Sequence, residues 1–93
     1  MNKSGVATLH RAASTGDATV ASQLLQANAN VDAAPKGGWT ALHWAAYKGH
    51  LGVVKSLLQA KACPTAVTKD GDTPLQLAEL WLHPEVAALL QRA

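Results

Sequence analysis

Four histidines are the side chains of this sequence best suited to metal binding or acid–base work, and their spacing says what they do. His10 and His43 stand 33 residues apart, as do His50 and His83. No two stand in an H-x-x-x-H pattern, which would aim both imidazoles from one helix face at a metal. Cys63 is the only cysteine, so neither a thiolate pair nor an internal disulfide can form, and a single thiol suits a reducing compartment. It precedes Pro64, and no neighbouring cation activates it, so it reads as an inert structural thiol. Asp70-Gly71-Asp72 resembles the opening of a calcium loop, but the later ligands of such a loop are missing. Asp17, Asp32, Asp70 and Asp72 all lie in turn-rich segments, where aspartate satisfies nearby backbone donors. Phosphate-cradling and nucleophile-elbow patterns are absent. The expectation is therefore no catalysis, no metal and no cofactor.

The histidine spacing is one thread of a longer pattern. The strings G-V-A-T-L-H-R-A-A from Gly5, G-W-T-A-L-H-W-A-A from Gly38 and G-D-T-P-L-Q-L-A-E from Gly71 repeat at the same interval of 33. Leu9, Leu42 and Leu75 fall in register, as do Ala12, Ala45 and Ala78, then Val20, Val53 and Val86, then Leu24, Leu57 and Leu90. A fixed period of this length predicts a stacked array rather than a globule folded about one centre. Hydrophobic residues make up 48% of the 93 residues, yet Phe is absent and Ala abundant, so the core must consist of close contacts between small side chains. A net charge of +2 with no Lys/Arg cluster gives no reason to expect nucleic acid. Met1 leads directly into the first repeat, without a signal-like apolar stretch or a bilayer-spanning run. That predicts an intracellular protein, cytoplasmic before nuclear, with no membrane contact.

The elements follow from the register. One domain divides into repeats at residues 2–34, 35–67 and 68–93, the last a truncated capping repeat. Each opens on a polar glycine-containing turn: Lys3-Ser4-Gly5, Lys36-Gly37-Gly38 and Lys69-Asp70-Gly71. A first helix of roughly ten residues follows, N-capped by Thr40 in the second repeat and by Thr73 with Pro74 in the third. Gly16 and Gly49 break it. A second helix carries an apolar stripe, Val20, Leu24 and Leu25 in repeat one and Val53, Val54, Leu57 and Leu58 in repeat two. Asn28 suits the left-handed end of that helix, whereas Lys61 in the same place would be strained by about 1 kcal/mol, which predicts a looser end.

The run T-A-L-H-W-A-A-Y-K-G-H from Thr40 to His50, followed by Val53-Val54 and Leu57-Leu58, resembles the ankyrin repeat. Repeat three opens T-P-L, and repeat one keeps L-H-x-A-A and Gly16, so the resemblance covers essentially the whole chain. It implies an all-α ankyrin-repeat solenoid: three helix-turn-helix repeats joined by short β-turn or hairpin loops. It also implies that the position of His10 and His43 is structural, hydrogen-bonding turn backbone and linking neighbours. The departures are Ala7-Thr8 for the usual Thr-Pro, Gln76 for His, Glu79 for the second Ala, and Leu82 for the inter-helix Gly. Glu79, Gln91 and Arg92 suit a polar outer face. Leu82-His83-Pro84 predicts a longer first helix in repeat three, with Pro84 opening the second.

The resemblance further implies a protein-binding concave side built from hairpin tips and first-helix faces. By register these tips are Lys3, Ser4, Val6, Lys36, Gly37, Trp39, Lys69, Asp70 and Asp72, and the helix residues Arg11, Ser14, Thr15, Trp44, Tyr47, Lys48, Leu80 and Trp81. The candidate site within them is Lys36, Trp39, Trp44, Tyr47, Lys48, Lys69, Asp72, Leu80 and Trp81, taking another protein or a peptide. All the aromatic residues fall in this set, either as interface anchors or as half-exposed packing. The row Lys3, Lys36 and Lys69 is a solvated edge or steers an acidic partner. A narrower reading is a methyl-lysine reader, because Trp39 and Trp44 match two cage positions of certain ankyrin domains; Tyr47 replaces the acidic residue there and Leu77 the third Trp. A minimal or designed scaffold without a partner is the competing class, against which Lys61 and Leu82-His83-Pro84 argue, since design would idealise them. A monomer is expected over a homodimer, of modest stability, with the terminal repeats fraying before the middle one.

Overall fold

Among the described residues six helices stand in three antiparallel pairs: α1 (Lys3–Thr15) with α2 (Ala18–Gln26), α3 (Ala41–Lys48) with α4 (Leu51–Gln59), and α5 (Pro74–Leu80) with α6 (Pro84–Arg92). The computed structural model describes residues 3–27, 31–34 and 37–93, with side chains from Thr8 onward. α3 lies between α1 and α5, and α4 between α2 and α6, so the pairs stack into a two-layer array. Neither layer has a strand among the described residues. The loop ahead of α5 is instead held by single bonds: Thr68 N–H to Asp72 O (2.9 Å), Gly71 N–H to Thr68 O (2.9 Å) and, across to the preceding loop, Lys69 N–H to Gly37 O (2.7 Å). No helix of the described residues is long and apolar enough to cross a membrane.

Local chemistry sets the starts of α3 and α5. Thr40 Oγ1 accepts from His43 N–H while His43 Nδ1 accepts from Thr40 N–H, a closed capping box. Thr73 and Gln76 repeat it, Gln76 Oε1 taking Thr73 N–H at 2.8 Å. Gln76 thus replaces His in the box. Both helices are shorter than ten residues. The first turn expectation fails: Lys3-Ser4-Gly5 belongs to α1. Position 7 of the register is Ala where the later repeats have Thr, so no side-chain oxygen caps the helix there and it runs on toward the N-terminus.

The core is the in-register set, Leu9 and Leu42, Ala12, Ala45 and Ala78, Val53 and Val86, Leu57 and Leu90, all buried. Alanines at these positions let the helices approach closely, which is why a core without Phe suffices. Glu79 occupies the place where Ala13 and Ala46 are fully buried, and it is exposed, as are Gln91 and Arg92.

Two further expectations are corrected at helix ends. α5 does not run longer; it stops at Leu80, one register step short of α3. Leu82 takes the left-handed conformation (φ +62°) that Gly49 (φ +76°) has in α3. Its N–H donates to Glu79 O (3.3 Å) and that of His83 to Ala78 O (2.8 Å), matching Gly49 to Ala46 O (3.3 Å) and His50 to Ala45 O (3.0 Å). Satisfying the last carbonyls this way outweighs the strain of a non-glycine residue. The same competition settles Lys61, whose end is not loose. At φ +68° its N–H reaches Leu58 O (3.0 Å) and Ala62 N–H reaches Leu57 O (3.0 Å). Buried Ala62, and Cys63 N–H held by Asp32 Oδ1 at 2.9 Å, anchor the turn from the far side. Pro84 does open α6. Asn28, in Lys61's register place, lies outside the described residues.

Candidate partner-binding face

The four histidines are spent on structure. His43 is fully buried; since Nδ1 accepts from Thr40 N–H (2.9 Å), the proton sits on Nε2, which donates to Ala66 O and Asp72 O, both 3.0 Å away. It therefore ties the start of α3 to the next loop. His10 Nε2 donates to Ala33 O at 2.9 Å in the same manner. Burial pushes the pKa of both below the ordinary 6.5, against the opposing pull of the carbonyls they bond. His50 and His83 do a job that sequence alone leaves unassigned. His50 Nε2 donates to Ser14 O (3.0 Å) and His83 Nε2 to Tyr47 O (2.9 Å), each closing the preceding helix from the next pair. Their shared register place, directly after the break between the two helices of a pair, was the available signal. Among the described residues no group of His, Cys, Asp and Glu could hold a metal. Cys63 is exposed, so its thiol is no packing element.

The aromatic side chains behave differently, because stacking gathers them. Trp39 leads into α3, which carries Trp44 and Tyr47 one turn apart on its open side, and Trp81 caps α5 beside them. Ring centroids lie 4.7 Å apart for Trp39–Trp44, 5.7 Å for Trp39–Tyr47, 6.2 Å for Trp44–Tyr47 and 5.0 Å for Tyr47–Trp81. The last three are edge-to-face, the arrangement ring quadrupoles prefer. Lys48 Nζ stands 5.2 Å from the Tyr47 ring centre, a cation–π contact. Trp39 also leans on His43 (5.8 Å), and Trp44 packs against the core, so part of this wall is structural. Its far end is not: Trp81 is 51% exposed and Leu80 69%.

Of the candidate residues, Trp39, Trp44, Tyr47, Lys48 and Trp81 thus form one contiguous surface, with Leu80 adjoining. Lys69 is exposed on the loop, and Asp72 is half-buried there, engaged through its backbone with His43 and Thr68. Lys36 lies outside the described residues, and of Lys3, Ser4 and Val6 no side chain is described. The geometry counts against a methyl-lysine cage. Cage walls must face one another across a cation, whereas Trp39 and Trp44 touch, and Leu77 is buried.

Stacked helix pairs, structural histidines and an open wall of side chains define a repeat array that displays a surface. Residues 9–93 match the family model for ankyrin repeats in three copies, so the chain belongs to the ankyrin-repeat family. No curated protein matches it. Ankyrin repeats are generally protein–protein interaction modules and generally not catalytic.

Proposed function

We propose that this chain, as three repeats at residues 2–34, 35–67 and 68–93, is a non-catalytic module binding a partner protein or peptide through the wall of Trp39, Trp44, Tyr47, Lys48, Leu80 and Trp81. The observation that carries the reading is that every aromatic residue of the chain joins one line of ring contacts, ending on an exposed Leu80-Trp81 pair. Apolar surface of that kind marks interfaces, and Trp and Tyr serve there because they bury large area with few torsions.

Charge narrows the partner. α1 and α3 contain no acidic residue, and exposed Arg11 and Lys48 have no carboxylate partner among the described residues. By register Arg11 neighbours Trp44, and Lys48 neighbours Trp81. The face is cationic toward the first repeat and apolar toward the third. It suits a segment with bulky apolar side chains at one end and a carboxylate at the other, bound by an intracellular monomer. Lys69 and Asp72 form the rim.

The test is affinity capture from native extract with Leu80→Ala/Trp81→Ala, using Lys55→Ala on α4 as control. The expected result is loss of the captured partner by about a hundredfold or more for the double variant, and retention for Lys55→Ala. Retention by both variants would move the site elsewhere, and no capture at all would favour a scaffold without a partner.

A further inference from the structure

At both junctions of the stack, the left-handed turn residue is covered by the next pair's histidine. A Cβ on Gly16 would lie 2.6 Å from His50 Nδ1, and one on Gly49 2.5 Å from His83 Nδ1. These imidazoles cannot swing aside without losing their bonds to Ser14 O and Tyr47 O. Glycine at this position is therefore required by the neighbour as well as by φ. In the third pair the position belongs to Leu82, which keeps the conformation (φ +62°) but brings a full side chain. That side chain is 83% exposed, so an apolar residue sits at a strained, solvent-facing place where packing does not repay it. Glu79 stands on the same face, where Ala13 and Ala46 are fully buried by the following pair. Leu82, Glu79, His83, Pro84, Ala87 and Ala88 line one open cleft at this end of the array.

We propose that Leu82 closes this end face to any further ankyrin repeat carrying the turn histidine. Its Cβ fills the slot where that imidazole would lie while donating to Leu80 O. Glu79 adds a second barrier, since a docked repeat would bury its carboxylate. The end face thus rejects its own kind. One consequence bears on the partner reading: a docked repeat would set a residue against Leu80 as Trp81 is set against Tyr47, so closure leaves Leu80 uncovered. The closure itself stands whether or not the aromatic wall binds anything.

The test extends the full chain. A copy of residues 28–67 placed after Ala93 continues the register, because Ala93 stands where Ala27 and Ala60 do, and it supplies a complete histidine-bearing helix pair. Amide exchange of the appended helices reports docking. They should stay as unprotected as a frayed end with native residues, with Glu79→Ala alone, and with Glu79→Ala/Leu82→Ala, which retains the Cβ. With Glu79→Ala/Leu82→Gly they should gain protection of about tenfold or more. Protection in the native extension, in Glu79→Ala alone or in the Leu82→Ala pair would overturn the proposal. So would an appended pair that stays unprotected in the Leu82→Gly pair.

Discussion

The turns at Gly49-His50 and Leu82-His83 have nearly the same backbone and opposite surroundings. Both close their helix with a left-handed residue, and in both the following N–H reaches back to a buried alanine carbonyl. Over Gly49 lies His83; over Leu82 nothing described packs, and the side chain is 83% exposed. The comparison separates two demands usually merged when a glycine is found at a helix end. The backbone demand costs another residue about 1 kcal/mol and is met by Leu82 and Lys61. The steric demand comes from the neighbouring repeat and admits no side chain.

Exchanging the residues should expose that difference most strongly. Gly49→Leu should lose about 4 kcal/mol in chemical denaturation, because it adds strain and drives a side chain into His83. A loss near 1 kcal/mol would mean His83 yields easily, and the steric half of the comparison would fail. Next in size, His43→Ala should lose about 3 kcal/mol, since it strands Thr40 N–H in a buried site and takes the imidazole donor from the Ala66 and Asp72 carbonyls, of which Asp72 O keeps its bond from Thr68 N–H. The half-buried His83, with one bond to Tyr47 O, should lose less on the same change.

Acid should act through His43, which is buried, and His10, which is half-buried. Burial lowers the folded-state pKa of His43 and His10 below 6.5, so the unfolded chain takes up protons there first. Their contribution is complete above pH 6.5, diminishes as pH falls from there toward the folded-state values, and changes no further below them. Urea midpoints across that range should fall in the native chain and flatten in His43→Gln. An unchanged slope in the variant would assign the acid sensitivity elsewhere. Leu82→Gly should raise stability by about 0.5–1 kcal/mol by relieving φ, because the exposed side chain it removes takes no part in the core. Smallest of all, Trp81→Ala should cost the fold about 0.5 kcal/mol, measured by thermal unfolding, since half its surface already faces water. A loss above about 2 kcal/mol would make Trp81 a packing residue and remove it from the proposed interface.

Much of the fold was legible because its signals are local or periodic. Thr40, and Thr73 with Pro74, act locally, so these two helix starts could be read directly, whereas the closing of each capping box by His43 and Gln76 came with the structure. Gly16 and Gly49 marked their breaks. The start of α1 is missed when register is trusted over chemistry: Ala7 offers no cap, and that is visible in the residue itself. Lys61 and Leu82 are missed for a deeper reason. Whether a side chain is tolerated in the left-handed region depends on the carbonyls it lets the backbone satisfy and on what overlies it, and neither is a property of the residue. The candidate face was half legible. Register placed Trp39, Trp44, Tyr47 and Trp81 on one side, but it did not show that their rings join in one line, and the role of His50 and His83 emerged only across a junction.

The sequence by itself determined the period, the number of helix pairs, the N-caps Thr40 and Thr73 and the small-residue core, because each rests on interactions a few residues apart or repeated at a fixed interval. Only the stacked structure decided which rings touch, which turn must be glycine and which end is obstructed. Those depend on the stagger between pairs, where residues 34 and 36 positions apart meet, as Gly16 and Ser14 meet His50. A contact of that kind is set by how whole helices settle against one another, and no short stretch of chain contains both of its sides.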